Sequence, residues 1–248
     1  MSIPLDLPSW EIATSLETAH CLPSDMSSTD ARSLLGSLSF DQAPVIRDGR
    51  VTGWVRTAHL VSRGLVGARI TELDRCTILA RDTPVSDTIK AVARDHLVFL
   101  AGPGGISEFV VPSDLDRHAV RCYLYVLVSE LEMRMADSID AALPPEDLIA
   151  ALKGGERKRY NEAVDAGVET RVVDYLNFSA YKTLAPRVPQ IVEAFPGDPD
   201  QLSVQLEHLR VLRNHVAHPT KPMALVFGPP ELARLTQLGE DFVSAIRR

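Results

Sequence analysis

Arg213 and His218 are a pair whose types and spacing suit chemistry on a phosphate, and they stand in the run Leu209-Arg210-Val211-Leu212-Arg213-Asn214-His215-Val216-Ala217-His218-Pro219. At about 100° per residue, Leu202, Leu206, Leu209, Leu212, Val216 and Ala217 fall on one stripe of a helix, with Arg213 near its middle. A guanidinium keeps its proton, and leaving it buried and unpaired costs about 3–5 kcal/mol, so Arg213 must meet a carboxylate, a phosphate or a wet cleft. His218 precedes Pro219. Proline disfavours helical geometry in the residue before it, which places the imidazole at or just past the helix end, where it can be exposed. Asn214 lies four residues earlier, within reach to hydrogen-bond and orient that ring. A permanent cation beside an oriented imidazole suits cleavage of a phosphodiester.

Structural alternatives stand beside this reading. Arg213 can pair with Glu130 or Glu132 on an upstream helix and lock the helices together, and His218 can cap the last carbonyls of its own helix. Arg210 and His215 repeat the Arg-to-His spacing, but Arg210 lies at the margin of the stripe and is followed by apolar Val211. His215 and His218 lie about 60° apart on a helix and His208 has no acidic partner at a diagnostic spacing, so no metal site is expected.

The elements that must position the pair are helical. From Asp116 onward strand signals stop. A first helix, Asp116 to Ala142, carries Val120, Tyr123, Leu124, Leu127, Leu131 and Met135 on one face and ends at Leu143-Pro144-Pro145. A second begins near Glu146 and meets Gly154-Gly155 before the charged run Glu156-Arg157-Lys158-Arg159, which reads as a solvated face. A third covers Thr170 to Leu176, a fourth runs from Ser179 to Pro196, a fifth carries Arg213, and a last follows Gly228-Pro229-Pro230 from Leu232 to Ile246. Short connections between helices of this length predict an up-and-down bundle.

Upstream, the chain repeats itself. The first unit has a strand around Ala19 to Leu22, the polar entry Ser27-Ser28-Thr29-Asp30 into a helix ending at Leu38, and a hairpin of Ala43–Ile46 with Val51–Val55 across Asp48-Gly49. The second has Thr77–Ala80, a helix Val85–Arg94, and a hairpin of Leu97–Leu100 with Ile106–Val111 across Gly102-Pro103-Gly104-Gly105. Strand, helix, hairpin and helix entry, twice over, predict one α+β domain of two pseudo-symmetric units.

Composition narrows the partners. The net charge is −7, which excludes a protein that wraps nucleic acid non-specifically and fits poorly with tight binding of arbitrary RNA at physiological salt. No apolar run approaches the ~20 residues that span a bilayer, and no secretory signal is read at the start of the sequence. Cys21, Cys76 and Cys122 are odd in number and lack CxxC spacing, so they read as free thiols in a reducing cytoplasm.

The repeat resembles a tandem pair of CBS motifs, on Gln42-Ala43-Pro44-Val45-Ile46 with Gly53-Trp54-Val55, and on Asp82-Thr83-Pro84-Val85 with Phe109-Val110-Val111-Pro112-Ser113-Asp114-Leu115. Family members often bind adenosyl nucleotides through a Thr-x-x-Asp element whose acid grips the ribose. Here His59 and Asp114 stand at the acid positions, and Arg56 and Val111 at the threonine positions. The resemblance makes Asp114 the nucleotide-binding candidate, against a plain reading as N-cap of the helix near Asp116. His59 reads as a cap or surface histidine. A degenerate pair also serves as a dimerisation platform.

The run Leu212 to Pro219 in turn resembles the Arg-x4-His signature of the HEPN superfamily. That likeness implies a metal-independent endoribonuclease of toxin or defence type, pairing two motifs across a homodimer. In it Arg213, Asn214 and His218 are the catalytic residues, acting on RNA to leave a 2′,3′-cyclic phosphate with no cofactor required, and an antitoxin partner is implied as well.

The expectation is therefore an α+β chain: a CBS-pair-like domain over residues 1–115 with βαββα repeats and an adenine nucleotide as regulatory ligand, then an all-α HEPN-like bundle over 116–248. The alternative is a non-catalytic module that senses an adenine nucleotide or docks a protein partner.

Overall fold

The protein is described by a computed structural model covering residues 7–61, 63–218 and 222–246. Pro219 and the first six residues, on which parts of the sequence reading rest, lie outside these. The chain divides into two compact units, Leu7–Ala119 with Phe227–Pro230, and Val120–Val226 with the chain from Glu231 onward.

The first unit is built twice. Strand β1 is Thr14–Ser15 and β2 is Leu22–Pro23; helix α1 (Ser28–Ser37) leads to β3 (Gln42–Arg47), β4 (Arg50–Arg56) and β5 (Thr71–Glu72). The second copy follows with β6 (Ile78–Ala80), α2 (Val85–Asp95), β7 (Val98–Gly102) and β8 (Gly105–Val110). The sheets have the orders β2-β3-β4-β5 and β1-β8-β7-β6. In each, a strand runs parallel to the first arm of the hairpin across a helical crossover, and the second arm pairs antiparallel with a short outer strand. β5 closes the sheet of the first copy and β1 that of the second. Both hairpins shift register at equivalent places, between Val45 and Ile46 and between Leu100 and Ala101.

Local chemistry explains these elements. Ser27 caps α1, its hydroxyl accepting from the Asp30 amide at 3.1 Å. Asp48 and Gly49 both take positive φ, 51° and 72°, the primed turn that matches strand twist. At Gly53 a Cβ would come within 2.1 Å of the Thr71 carbonyl oxygen, so only glycine lets β4 and β5 approach. One core packs Leu35, Val45, Val55 and Leu60 under α1, and Trp54, Leu97, Phe99 and Phe109 join the two copies.

The expected strand at Ala19–Leu22 is not formed. Only Leu22 belongs to a strand, and the segment before it supplies β1 to the other sheet. Two-residue strands such as β1 and β5 are too short for a period-2 pattern to register.

The second unit is helical: α3 (His118–Ala142), α4 (Pro145–Ala151), α5 (Gly154–Asp165), α6 (Phe178–Leu184), α7 (Pro189–Ala194), α8 (Leu202–Val216) and α9 (Ala224–Ala245). Every residue of the stripe expected on α3 is buried, as are Leu202, Leu206, Leu209, Leu212 and Val216 on α8. α9 kinks at Gly228, φ 63° and ψ 160°, before Pro229 and Pro230.

Two helices differ from expectation. Thr170–Leu176 is a 3-10 turn over Val172–Tyr175, and Ser179–Pro196 is broken into α6, a 3-10 turn at Ala185–Arg187 and α7. Pro186 and Pro189 remove amide donors and end each segment. Short helices therefore fill the span between α5 and α8, where an up-and-down bundle of long helices was expected. Among the described residues no helix is long and apolar enough to cross a membrane.

Candidate functional site

A cavity of about 650 Å³ opens in the α+β unit where the strand ends of both copies meet. The first copy contributes Gln42, Pro44, Arg56 and Thr57, the second His96, Val111, Ser113 and Asp114, and the segment around β1 adds Thr14 and His20. Arg56–Ala58, at the end of one hairpin, and Val111–Asp114, at the end of the other, thus reach one cavity. Gln42 ties its lips together, its Nε2 donating to the His96 carbonyl at 3.0 Å. Phe40 is 42% exposed at the rim with the His20 ring 5.9 Å away, an open aromatic platform.

Arg56 ends β4. Its guanidinium lies 5.5 Å from the centre of the Trp54 ring, and it makes no ion pair or hydrogen bond among the described residues. Thr57 is already committed: its hydroxyl donates to the Phe40 carbonyl at 2.7 Å and its amide to the Asp41 carbonyl at 2.8 Å.

Asp114 is buried and engaged. Its Oδ2 accepts from the Val111 amide at 2.9 Å and its Oδ1 from Arg117 Nε at 2.9 Å. Burial pushes its carboxyl above the usual carboxylate range, opposed by the Val111 amide and by Arg117. The plain reading of Asp114 as N-cap of the long helix is corrected: it sits inside the 3-10 turn Pro112–Asp116 and reaches back to that turn's first amide, while α3 starts at His118. His59 is exposed at the end of the 3-10 turn Thr57–His59.

On α8, Arg213 faces inward as its position on the stripe demands. Its Nε is buried without a hydrogen bond, 3.7 Å from Glu132 Oε2 on α3, while the side chain as a whole is 41% exposed, so the guanidinium reaches out to water. Burial raises the Glu132 carboxyl, with Arg213 acting against that shift. Glu130, the other expected partner, instead holds Arg134 at 2.8 Å.

His218 is exposed beyond the end of α8. The expected bond from Asn214 to its ring is absent among the described residues, and the ring caps no carbonyl there. The end of α8 is satisfied otherwise: buried Arg121 donates to the His215 carbonyl at 3.0 Å, and the Ala217 amide to the Arg213 carbonyl at 3.1 Å. His215 Nδ1 donates to the Val211 carbonyl at 2.9 Å, and Arg210 is paired with Glu207, so the second Arg-to-His match is structural. No group of three or more His, Cys, Asp or Glu among the described residues is placed to hold a metal ion.

In the sequence Arg56 stands out only as the residue at a threonine position of the likeness, and the cavity leaves no mark there. The available signal was a cation at the exit of a buried strand with no acidic neighbour in register.

No protein-family model matches the chain, and no curated protein matches it. Solved structures of CBS domains resemble about half of it. The CBS domain of a bacterial CNNM/CorC family Mg2+ transporter is 16% identical, over 44% of this chain and 72% of that one, with a TM-score of 0.39. The CBS-pair protein CBSX2 from Arabidopsis thaliana is 16% identical, over 48% of this chain and 96% of that one, with a TM-score of 0.41. A hemolysin-like CBS-domain protein of Oenococcus oeni is 14% identical, over 44% and 88%, with a TM-score of 0.40.

Proposed function

We propose that the chain is a regulatory module whose α+β unit binds an adenine nucleotide in the cavity. The observation that carries this is the cavity itself: its volume lies within the ordinary range for small-ligand sites, about 300–1,000 Å³, and both copies of the repeat line it with their strand-end segments. It offers an aromatic rim at Phe40 and an uncommitted cation at Arg56, a pairing suited to a base and a phosphate. The CBS likeness of the sequence implies the adenosyl class. Calorimetry of the full chain with AMP, ATP and S-adenosylmethionine tests it. Saturable binding of one of them is expected, and absence of heat with all three overturns the reading.

A second reading concerns the helical unit as a metal-independent ribonuclease of HEPN type, and a specific observation favours it. The guanidinium of Arg213 reaches water on the last turn of α8, and His218 stands exposed just beyond. In that chemistry the RNA 2′-hydroxyl gives up its proton to a general base and attacks the adjacent phosphorus. The bond to the 5′-oxygen breaks and that oxygen is protonated, leaving a 2′,3′-cyclic phosphate. Arg213 stabilises the charge on the phosphorane, His218 moves one proton, Asn214 has the orienting role, and a second protomer of a homodimer supplies the other histidine. Cleavage of RNA in EDTA, lost in both Arg213→Ala and His218→Ala, is expected. Equal cleavage by wild type and variants, or none on any RNA, removes the enzyme reading. Toxicity on expression, relieved by His218→Ala, is the corresponding sign of a toxin held in check by a partner.

A further inference from the structure

We infer that the cavity recognises its ligand through phosphate, by Arg56, and not through the ribose hydroxyls, so that it takes ribo- and deoxyribonucleotides alike and rejects the neutral nucleoside. This rests on the reading of the cavity as a nucleotide site.

The carboxylates are the first ground. A ribose diol is gripped by a carboxylate that accepts from it, and two carboxylates line the cavity, Asp41 and Asp114. Both oxygens of Asp114 are already accepting, from Val111 and from Arg117. Giving them to a ligand would take from Arg117 and from a backbone amide the acceptor they hold, which no ribose hydroxyl replaces without loss. Asp41 is exposed, so any bond it makes to a sugar exchanges one water contact for another. The buried carboxylate thus keeps at most one lone pair, on Oδ2, for a ligand, too few to grip both hydroxyls of a ribose.

The donors point the other way. The lining holds one arginine and no lysine, and that arginine has no partner among the described residues. Contact with the face of the buried Trp54 ring restrains its guanidinium, so less rotamer freedom is lost when it forks onto phosphate oxygens. The neighbouring donors of Thr57 are spent on Phe40 and Asp41, which leaves Arg56 as the group with charge and free N–H bonds to offer. Gln42, opposite Arg56 in the β3–β4 ladder, holds the lip through His96, so the position of Arg56 is set by paired backbone.

Calorimetry of the full chain with AMP, 2′-deoxy-AMP and adenosine tests this, together with Arg56→Ala and Arg56→Lys. AMP and 2′-deoxy-AMP are expected to bind within about twofold of one another, and adenosine weaker by about tenfold or more, as the loss of charge-assisted bonds to phosphate requires. Arg56→Ala should remove the preference for AMP over adenosine, and Arg56→Lys should keep part of it. Adenosine binding as tightly as AMP, or 2′-deoxy-AMP binding about tenfold weaker, overturns the inference on wild-type protein alone, whatever the variants do to folding. If none of the adenine compounds binds, the nucleotide reading falls. Pyrophosphate then decides the anion claim: a rise in melting temperature that is lost in Arg56→Ala supports it, and no rise overturns it.

Discussion

Arg117 holds Asp114. Its guanidinium donates to the carboxylate at 2.9 Å and, with its remaining nitrogens, to the Ala13 carbonyl at 2.9 Å and the Thr14 hydroxyl at 2.8 Å. One side chain thus joins β1, the outer strand of the second copy's sheet, to the 3-10 turn that follows β8. Arg117→Ala should lower the stability of the α+β unit by about 1–3 kcal/mol, because it leaves the buried Asp114 with the Val111 amide and a long 3.5 Å bond from the Thr14 hydroxyl. Urea unfolding measures it. A double-mutant cycle with Asp114→Asn gives the sharper result: the two losses should be markedly less than additive, and simple additivity would show that the pair is incidental.

How much of this was legible in the sequence differs between the units. The α+β repeat was readable because Ser27 and Asp48-Gly49 are local signals that act within a few residues, and the first helix and hairpin formed where those residues placed them. β1 and β5 were not readable. Each is two residues long and pairs with a strand its neighbours do not predict, so the information lies in tertiary pairing. The cavity was invisible for the same reason, since it exists only once Arg56 and Asp114 are brought together from opposite copies. On α8 the apolar stripe foretold that Arg213 would face inward and meet a carboxylate, and Glu132 is there. Its choice over Glu130 depends on Arg134, one turn after Glu130, claiming that carboxylate first. The orientation of His218 by Asn214 did not follow from spacing, because α8 ends at Val216, short of the histidine.

The buried pair on α3 gives the largest expected effect. Arg134 and Glu130 are 7% and 6% exposed and 2.8 Å apart, and Arg134 also donates to the carbonyls of Val243 and Ile246 at the end of α9. Removing the arginine takes from the buried carboxylate its 2.8 Å cation and from two helix-end carbonyls their donor. Arg134→Ala should therefore cost about 3–5 kcal/mol in denaturant unfolding. Arg134→Met combined with Glu130→Gln, which removes both charges and keeps the volume, should recover a good part of that loss. If the double variant is as unstable as Arg134→Ala, stranded charge is the wrong account.

Glu207 supplies a pH signature. Its carboxylate accepts from Arg210 within α8 and from Lys182 of α6 at 2.9 Å, and these bonds, led by that from Arg210, hold its pKa down to about 2 against an ordinary value of 4.5. With the folded value below the unfolded one, the unfolded chain takes up the proton first as the pH falls. The stabilisation is present in full above about pH 5 and disappears progressively toward pH 2. Because the side chains are about one-third exposed, screening limits it to about 1 kcal/mol or less. Glu207→Gln should therefore be less stable than wild type by a constant margin near neutrality, and the margin should close as the pH drops from 5 to 2. Unfolding curves at several pH values read this directly, and a margin that stays constant to pH 2 would mean that the Lys182–Glu207–Arg210 cluster contributes through packing and not through charge.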